Sequence, residues 1–331
     1  MFVVNFAFGR RGSTLHTGTK TSEPVDYGSA KKIYDRLVRE KKAKGYTEGP
    51  EGTPYQHTNN QDRITRLSPQ LLNPVDENEA KRLIQDPTWT VQEKFDGRRV
   101  LVRKNAAGIH GINRKGLLIG LPETVFQSVR SISGDFILDG ECVGDVLYAF
   151  DLLAWNGEDY RPYSYQRRLV ALCTLLNRPD LKSIRFVETA TDRAAKERLF
   201  RHLQAEKREG VVFKQLDAPY IPGRPNSGGT QLKHKFYATC SAVVSRLNDK
   251  RSVELRLLNG DGWNPIGNVT IPVSSQVPEV GRVVEIRYLY AFKESNALYQ
   301  PVHLGPRRDV AQQECVLSQL KYKRAGAEDL G

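Results

Sequence analysis

No apolar run in this 331-residue sequence approaches the roughly eighteen residues a helix needs to cross a bilayer. The opening MFVVNFAFGRRG is too short, and has the wrong charge order, for a secretory signal. We therefore expect a soluble, intracellular chain with no membrane partner. Cysteine is scarce: Cys142, Cys173, Cys240 and Cys315 lie far apart with no C-x-x-C pair. That spacing argues against a disulfide framework and against a zinc knuckle. The six histidines are scattered singly, so none suggests a metal cluster. Apolar residues make up 39% of the chain, enough for ordinary cores, and the length suggests two or three domains.

Charge is plentiful. The net charge is +12, and the excess is spread along the whole chain rather than gathered in one tail. A polyanion gripped by several domains explains that distribution, although solubility alone also would. Residues 1–50 read as a small unit, with a strand in FVVNFAF and a helix in SAKKIYDRLVREKKAKGY. Ala30, Ile33, Tyr34 and Leu37 have helical spacing, Ser29 is a candidate start cap and Gly45 a candidate end cap. Residues 51–66 look like a linker rich in Gly, Pro, Thr and Asn. From 67 to 235 helical patterns alternate with short strands, as expected of a mixed α+β catalytic domain. From 236 to 324 short strands recur at regular spacing, which suggests a small barrel of the OB type. Residues 325–331 read as a disordered tail.

The stretch QEKFDGRRV, residues 92–100, lies between two β-rich runs. Asp96-Gly97 is a favoured tight-turn dipeptide, so the segment reads as a β-hairpin with a charged tip. The bland explanation is exposure; the sharper one is that Lys94 is a nucleophile. At a pKa near 10.4 only about one lysine amine in a thousand is neutral at physiological pH. A nucleophilic lysine therefore needs nearby positive charge or desolvation, which Arg99 or a bound metal ion would supply. Lowering the pKa by ~3 units corresponds to ~4 kcal/mol of differential stabilisation.

The order KFDGRR, NRKG, LDGE, YAFDLL, EGVVFK and QLKHK resembles the nucleotidyltransferase motifs of ATP-dependent DNA ligases. PVHLGPRRD resembles their last motif, and the likeness runs from about 67 to 320. It implies an α+β, ATP-grasp-like adenylation domain at 67–235 followed by an OB-fold β-barrel at 236–324. It also implies ATP as adenylate donor, Mg²⁺ or Mn²⁺ as metal, and nicked duplex DNA as partner of a monomeric enzyme. By position, Lys94 attacks the α-phosphate, while Arg99 and Arg114 touch ribose or phosphate. Arg114 also holds the 5′-phosphate of the nick. Phe150 lies on the adenine face, and Glu141 and Glu209 serve ribose or the metal. Lys233 and Lys235, two apart and so on one strand face, steady the α-phosphate, with Lys214 as a third cation. Arg307 orients the pyrophosphate. Without the resemblance, Phe150 reads as a core aromatic, the glutamates as solvated turn charges and the lysine pair as a basic strand edge.

Two departures stand out. Val310 replaces the lysine that ends the last motif in larger ligases, and Gln92 stands where many relatives have glutamate. Adenine recognition at that point falls to the Gln92 carbonyl or to backbone. The first 50 residues resemble part of a WGR domain, with Phe8 in place of the defining tryptophan and Arg10 and Arg11 as candidate DNA contacts. RNA ligases and mRNA-capping guanylyltransferases share the lysine motif and are rivals from the same fold; a catalytically silent DNA-end binder is the rival from another class.

Overall fold

A computed structural model of the chain describes residues 1–8, 16–21, 23–43, 46, 61–65 and 67–323. Gly45, Arg10, Arg11, most of the 51–66 linker and all of the 325–331 tail lie outside the described residues. At the N-terminus β1 (Asn5–Phe8) pairs antiparallel with β2 (His16–Thr19), and α1 (Tyr27–Ala43) follows with Ala30 buried. Ser29 is not the start cap expected of it. The Asp26 carboxylate accepts the Ser29 N–H at 3.0 Å, so the cap lies three residues earlier and Ser29 sits inside the first turn.

Then come β3 (Asn73–Pro74), α2 (Glu77–Gln85), β4 (Trp89–Lys94), β5 (Arg98–Asn105), β6 (Gly108–Asn113) and β7 (Leu118–Ile119). Next are α3 (Glu123–Ser131), β8 (Phe136–Val143), β9 (Val146–Trp155), β10 (Glu158–Asp159), α4 (Tyr165–Leu176) and β11 (Ile184–Phe186). The last elements here are β12 (Thr189–Ala190), α5 (Arg193–Ala205), β13 (Gly210–Gln215) and β14 (Gln231–Lys235). They build two sheets: β12-β4-β13-β14-β3, and β10-β9-β8-β5-β6-β7 with β11 on β9. The first packs Trp89, Val91, Val211, Phe213 and Leu232 against Leu83 of α2 and Leu199 of α5. The second packs against Val125 and Val129 of α3 and Leu172 and Leu175 of α4.

The expected hairpin at Asp96-Gly97 does not form. β4 is flanked by β12 and β13, and β5 by β6 and β8, so the turn carries the chain from one sheet to the other. Its glycine is needed for a different reason from the one a hairpin gives. A Cβ on Gly97 would lie 2.3 Å from the carbonyl oxygen of Cys142, and the residue is not among those with positive φ.

The C-terminal part begins with β15 (Ala238–Leu247), β16 (Ser252–Asn259), β17 (Gly262–Thr270) and β18 (Val283–Tyr288). The short β19 (Tyr290–Ala291) and β20 (Leu298–Tyr299) pair with each other, and β21 (Val302–Pro306) follows. The antiparallel sheet runs β17-β16-β15-β18-β21. Alternate residues such as Val253, Leu255 and Leu257 face its own apolar core. Its edge strands β17 and β21 do not pair with each other among the described residues, so the sheet is open rather than a closed barrel. The chain is a mixed α/β protein. Among the described residues no helix is long and apolar enough to cross a membrane.

Candidate active site

Because side chains alternate along a strand, the face of the first sheet that does not pack on α2 and α5 is built from the remaining residues of β4, β13 and β14. The register stacks them in three rungs: Lys94–Gly210–Lys235, Gln92–Val212–Lys233 and Thr90–Lys214–Gln231. Thr189 of β12 extends the middle rung beside Gln92. The two lysines of QLKHK thus share one face, two rungs deep. On the second sheet Arg99 and Glu141 are direct neighbours across β5 and β8. A narrow cavity between the sheets is lined by Gln92, Lys94, Arg99, Glu141, Phe150 and Lys214.

Lys94 sits at its mouth. Its Nζ lies 2.6 Å from one oxygen of Glu209, whose other oxygen is 3.1 Å from Nζ of Lys235. Gly210 leaves the space between the two lysines free of a side chain. Arg99 donates to both oxygens of Asp139, at 2.5 and 2.7 Å, and its guanidinium lies 4.4 Å from the Phe150 ring centre. Arg99 is thus paired with Asp139, as Lys94 and Lys235 are with Glu209. Lys214 reaches under Phe150, 4.3 Å from the ring centre, and donates to the Phe150 carbonyl at 3.0 Å. Burial pulls the Lys214 ammonium down to about 7. Burial, followed by Arg224 and Lys94, pulls Lys233 down to about 8. Burial pushes the Glu141 carboxyl up to about 7, against the opposing pull of Arg99 and Lys94.

Arg114 is exposed beyond β6, and its charge is one of those that push the Lys233 ammonium down. Arg307 is not brought to this cavity. It is held by Asp309 (2.9 and 2.8 Å) and Glu285 (2.9 Å) beside a groove on the C-terminal sheet that shares no lining residue with the cavities at Lys94. The C-terminal part instead clasps the turn next to the lysine. Tyr290 donates its hydroxyl to Asp96 at 3.0 Å, and the Lys323 ammonium lies 3.2 Å from the same carboxylate. A cavity of about 280 Å³ lies between this clasp and Lys94, with Glu209 and Lys321 in its wall.

Several contributors escape a reading by motif. Asp139 lies inside LDGE but gives no sign of its partners Arg99 and Tyr220. Arg224 of the loop before β14 reaches Lys233 only through folding. Among the described residues no cluster of three or more His, Cys, Asp and Glu is able to hold a metal ion. The Glu209 charge adds to burial in pushing Glu141 up, and Glu141 lacks full compensation for its burial. With both Glu209 oxygens engaged by Lys94 and Lys235, Glu141 is the carboxylate open to a hard cation held jointly with phosphate oxygens, and Glu209 would have to be shared with the two lysines.

Residues 87–229, less than half of the chain, match the family model described as RNA ligase. A probable DNA ligase of Kineococcus radiotolerans is 33% identical over 181 residues, which is 46% of this chain and 35% of that protein. The chain therefore spans about a third of the curated relatives it matches. In fold, it is similar to a Lig E DNA ligase, with a TM-score of 0.56, 17% identity and coverage of 73% of this chain and all of that one. It is also similar to the structure described as Pmar-Lig_PreS3, with a TM-score of 0.58, 17% identity and coverage of 86% and 72%. The shared stretch of sequence and the shared fold meet on the sheets that carry Lys94, and over that stretch this chain is similar to proteins named as RNA and DNA ligases.

Proposed function

We propose that the protein is an ATP-dependent DNA ligase that seals 3′-OH/5′-phosphate nicks through lysyl-AMP and DNA-adenylate intermediates. The observation that carries this reading is the Lys94–Glu209–Lys235 bridge at the mouth of the cavity. An ammonium is not a nucleophile, and Glu209 is the group in contact with Nζ that is placed to accept its proton. The free amine then attacks the α-phosphorus of ATP, the Nζ–P bond forms, and the bond to pyrophosphate breaks. Lys235 and Lys233 face the same side and offset the charge that builds on the phosphate oxygens. Held by Glu141 and Glu209 with phosphate oxygens, Mg²⁺ would neutralise phosphate charge. Arg99, Phe150 and Lys214 surround the nucleoside, with Gln92 at the base edge, and Arg114 takes the 5′-phosphate of the nick.

Under this reading residues 67–235 are the adenylation domain and 236–324 an OB-type unit, for which the antiparallel five-stranded sheet is the support. Arg307 then reaches the pyrophosphate only after the clasp on Asp96 opens and the C-terminal unit reorients. Residues 1–50 are read as a WGR-like DNA contact. The names of the relatives favour DNA as the polynucleotide; the family model favours RNA ligase as the second reading. Incubation with α-labelled ATP, GTP or NAD and Mg²⁺ tests the class: covalent label from ATP alone, lost in Lys94→Ala, is the expected result. Sealing of an all-RNA nick in preference to a DNA nick would move the assignment to the second reading.

A further inference from the structure

Gln92 is 1% exposed, and its carboxamide lies between two hydroxyl groups: Nε2 is 2.9 Å from Oη of Tyr165 and 2.7 Å from Oγ1 of Thr189. A carboxamide has nearly the same shape when its nitrogen and oxygen are exchanged, so its orientation has to come from the protons around it. Each hydroxyl has one proton. That of Tyr165 goes to the Phe150 carbonyl at 3.1 Å, and that of Thr189 goes to the Val187 carbonyl at 3.0 Å. Main-chain carbonyls only accept, so both hydroxyl oxygens are left as acceptors. Burial holds the Tyr165 phenol well above its ordinary range, so it keeps its proton at neutral pH. Lys214, a further donor 3.5 Å from Oη, fits the same polarity. Gln92 must therefore turn its amide nitrogen to both hydroxyls, which uses both of its N–H bonds. The reverse orientation would take the hydroxyl protons from two carbonyls, leaving Phe150 with Lys214 alone and Val187 without the Thr189 proton.

What remains of Gln92 is its carbonyl oxygen, to which nothing donates among the described residues. The residue lines the cavity with Lys94 and Phe150. We propose that Tyr165 and Thr189 are positioning residues that lock the Gln92 oxygen toward the nucleobase, so that the cavity selects a 6-aminopurine over a 6-oxopurine. This rests on the nucleotide reading of the cavity given above. A 6-amino group donates to the locked oxygen. A 6-oxo group sets oxygen against oxygen, and a site built to pair with a substrate N–H rejects an analogue without it by about 10²-fold or more.

The test compares ATP with ITP, which differ at position 6 and in the proton on N1, in wild type, Tyr165→Phe/Thr189→Val and Thr189→Ser. Both equilibrium binding and the rate of covalent labelling are measured. The double variant keeps the shapes of both side chains but frees the amide to turn. Its ATP/ITP preference should fall about 10-fold or more, through weaker use of ATP together with better use of ITP. Thr189→Ser keeps the hydroxyl and should keep the wild-type preference. A double variant that loses rate equally with both nucleotides would overturn the positioning role and leave only a packing one. If no variant is labelled but the binding preference still collapses in the double variant, the inference stands and the ligase reading falls. Labelling from ATP with an unmoved ATP/ITP ratio sinks the inference alone.

Discussion

Replacing Gly97 with alanine places a methyl group where the backbone of Cys142 already lies. The new Cβ would be 2.3 Å from the Cys142 carbonyl oxygen, 2.9 Å from its carbon and 2.9 Å from a methyl of Val143. Real Cβ contacts essentially never fall below 3.0 Å, and the two closest atoms are backbone in the middle of the second sheet, where β8 pairs on both sides. The turn has to lift instead, by roughly 1 Å, and Lys94 stands three residues before it. A displacement of that size at a reacting group can cost about 10²-fold in rate. Overpacking of this kind destabilises by ~1–3 kcal/mol. Self-adenylylation with labelled ATP, read beside denaturant unfolding, should therefore show both effects in Gly97→Ala. Gly120→Ala is the matched control, since a Cβ there meets nothing within 4 Å and its φ is not positive; it should stay within ~0.5 kcal/mol of wild type. A Gly97→Ala protein with wild-type rate and stability would refute the reasoning, because it would mean the turn is not seated against β8.

Lys233, held near 8, should take up a proton when a polyphosphate arrives and restores its charge. In metal-free buffer the share of Lys233 in the uptake, when the wild type binds α,β-methylene ATP, should be about half a proton at pH 8 and about a tenth at pH 7. Calorimetry in buffers of different ionisation enthalpy measures it as the difference between wild type and Lys233→Ala, and equal uptake in the two would reassign the proton. Arg307→Ala should slow self-adenylylation by about 10²-fold while sparing the sealing of a pre-adenylated nick; equal damage to both would give Arg307 a role in the fold or in holding DNA. Deletion of residues 1–51 should leave self-adenylylation nearly unchanged but flatten the salt dependence of nick binding, by roughly 0.9 in slope for each phosphate that the shortened protein no longer neutralises. Parallel salt slopes for the two proteins would remove the DNA-binding role from that segment.

Lys233 and Lys235 are legible as a same-face pair because a spacing of two in a strand is a purely local property. The Lys94 turn misleads for the same reason. Alternating β-rich runs around Asp-Gly describe a hairpin locally, and only pairing of β4 with β12 and β13 and of β5 with β8, all distant in sequence, sends the two strands into different sheets. The partner of Arg99 is invisible in the same way, forty residues off at Asp139. Ser29 passes for a cap because three possible cap residues, Asp26, Ser29 and the glycine between them, are crowded together, and side-chain geometry alone separates them. Tyr165 and Thr189 carry no motif at all; what marks them is where their protons go.

The three rungs also have a bearing on how such a site tolerates change. Because Lys94, Gln92 and Thr90 occupy every second position of one strand, and Lys235, Lys233 and Gln231 do so on another, substitutions alter the site one member at a time. A single inserted or deleted residue within β4 or β14 acts differently. It turns the whole set into the apolar layer over α2 and α5 and brings the core residues out, since a one-residue slip inverts every side chain beyond it. A library that varies residue identity along these strands should therefore retain folded members in quantity, whereas one that varies their length should be almost empty, and loops such as the one before β14 are where length is free to drift.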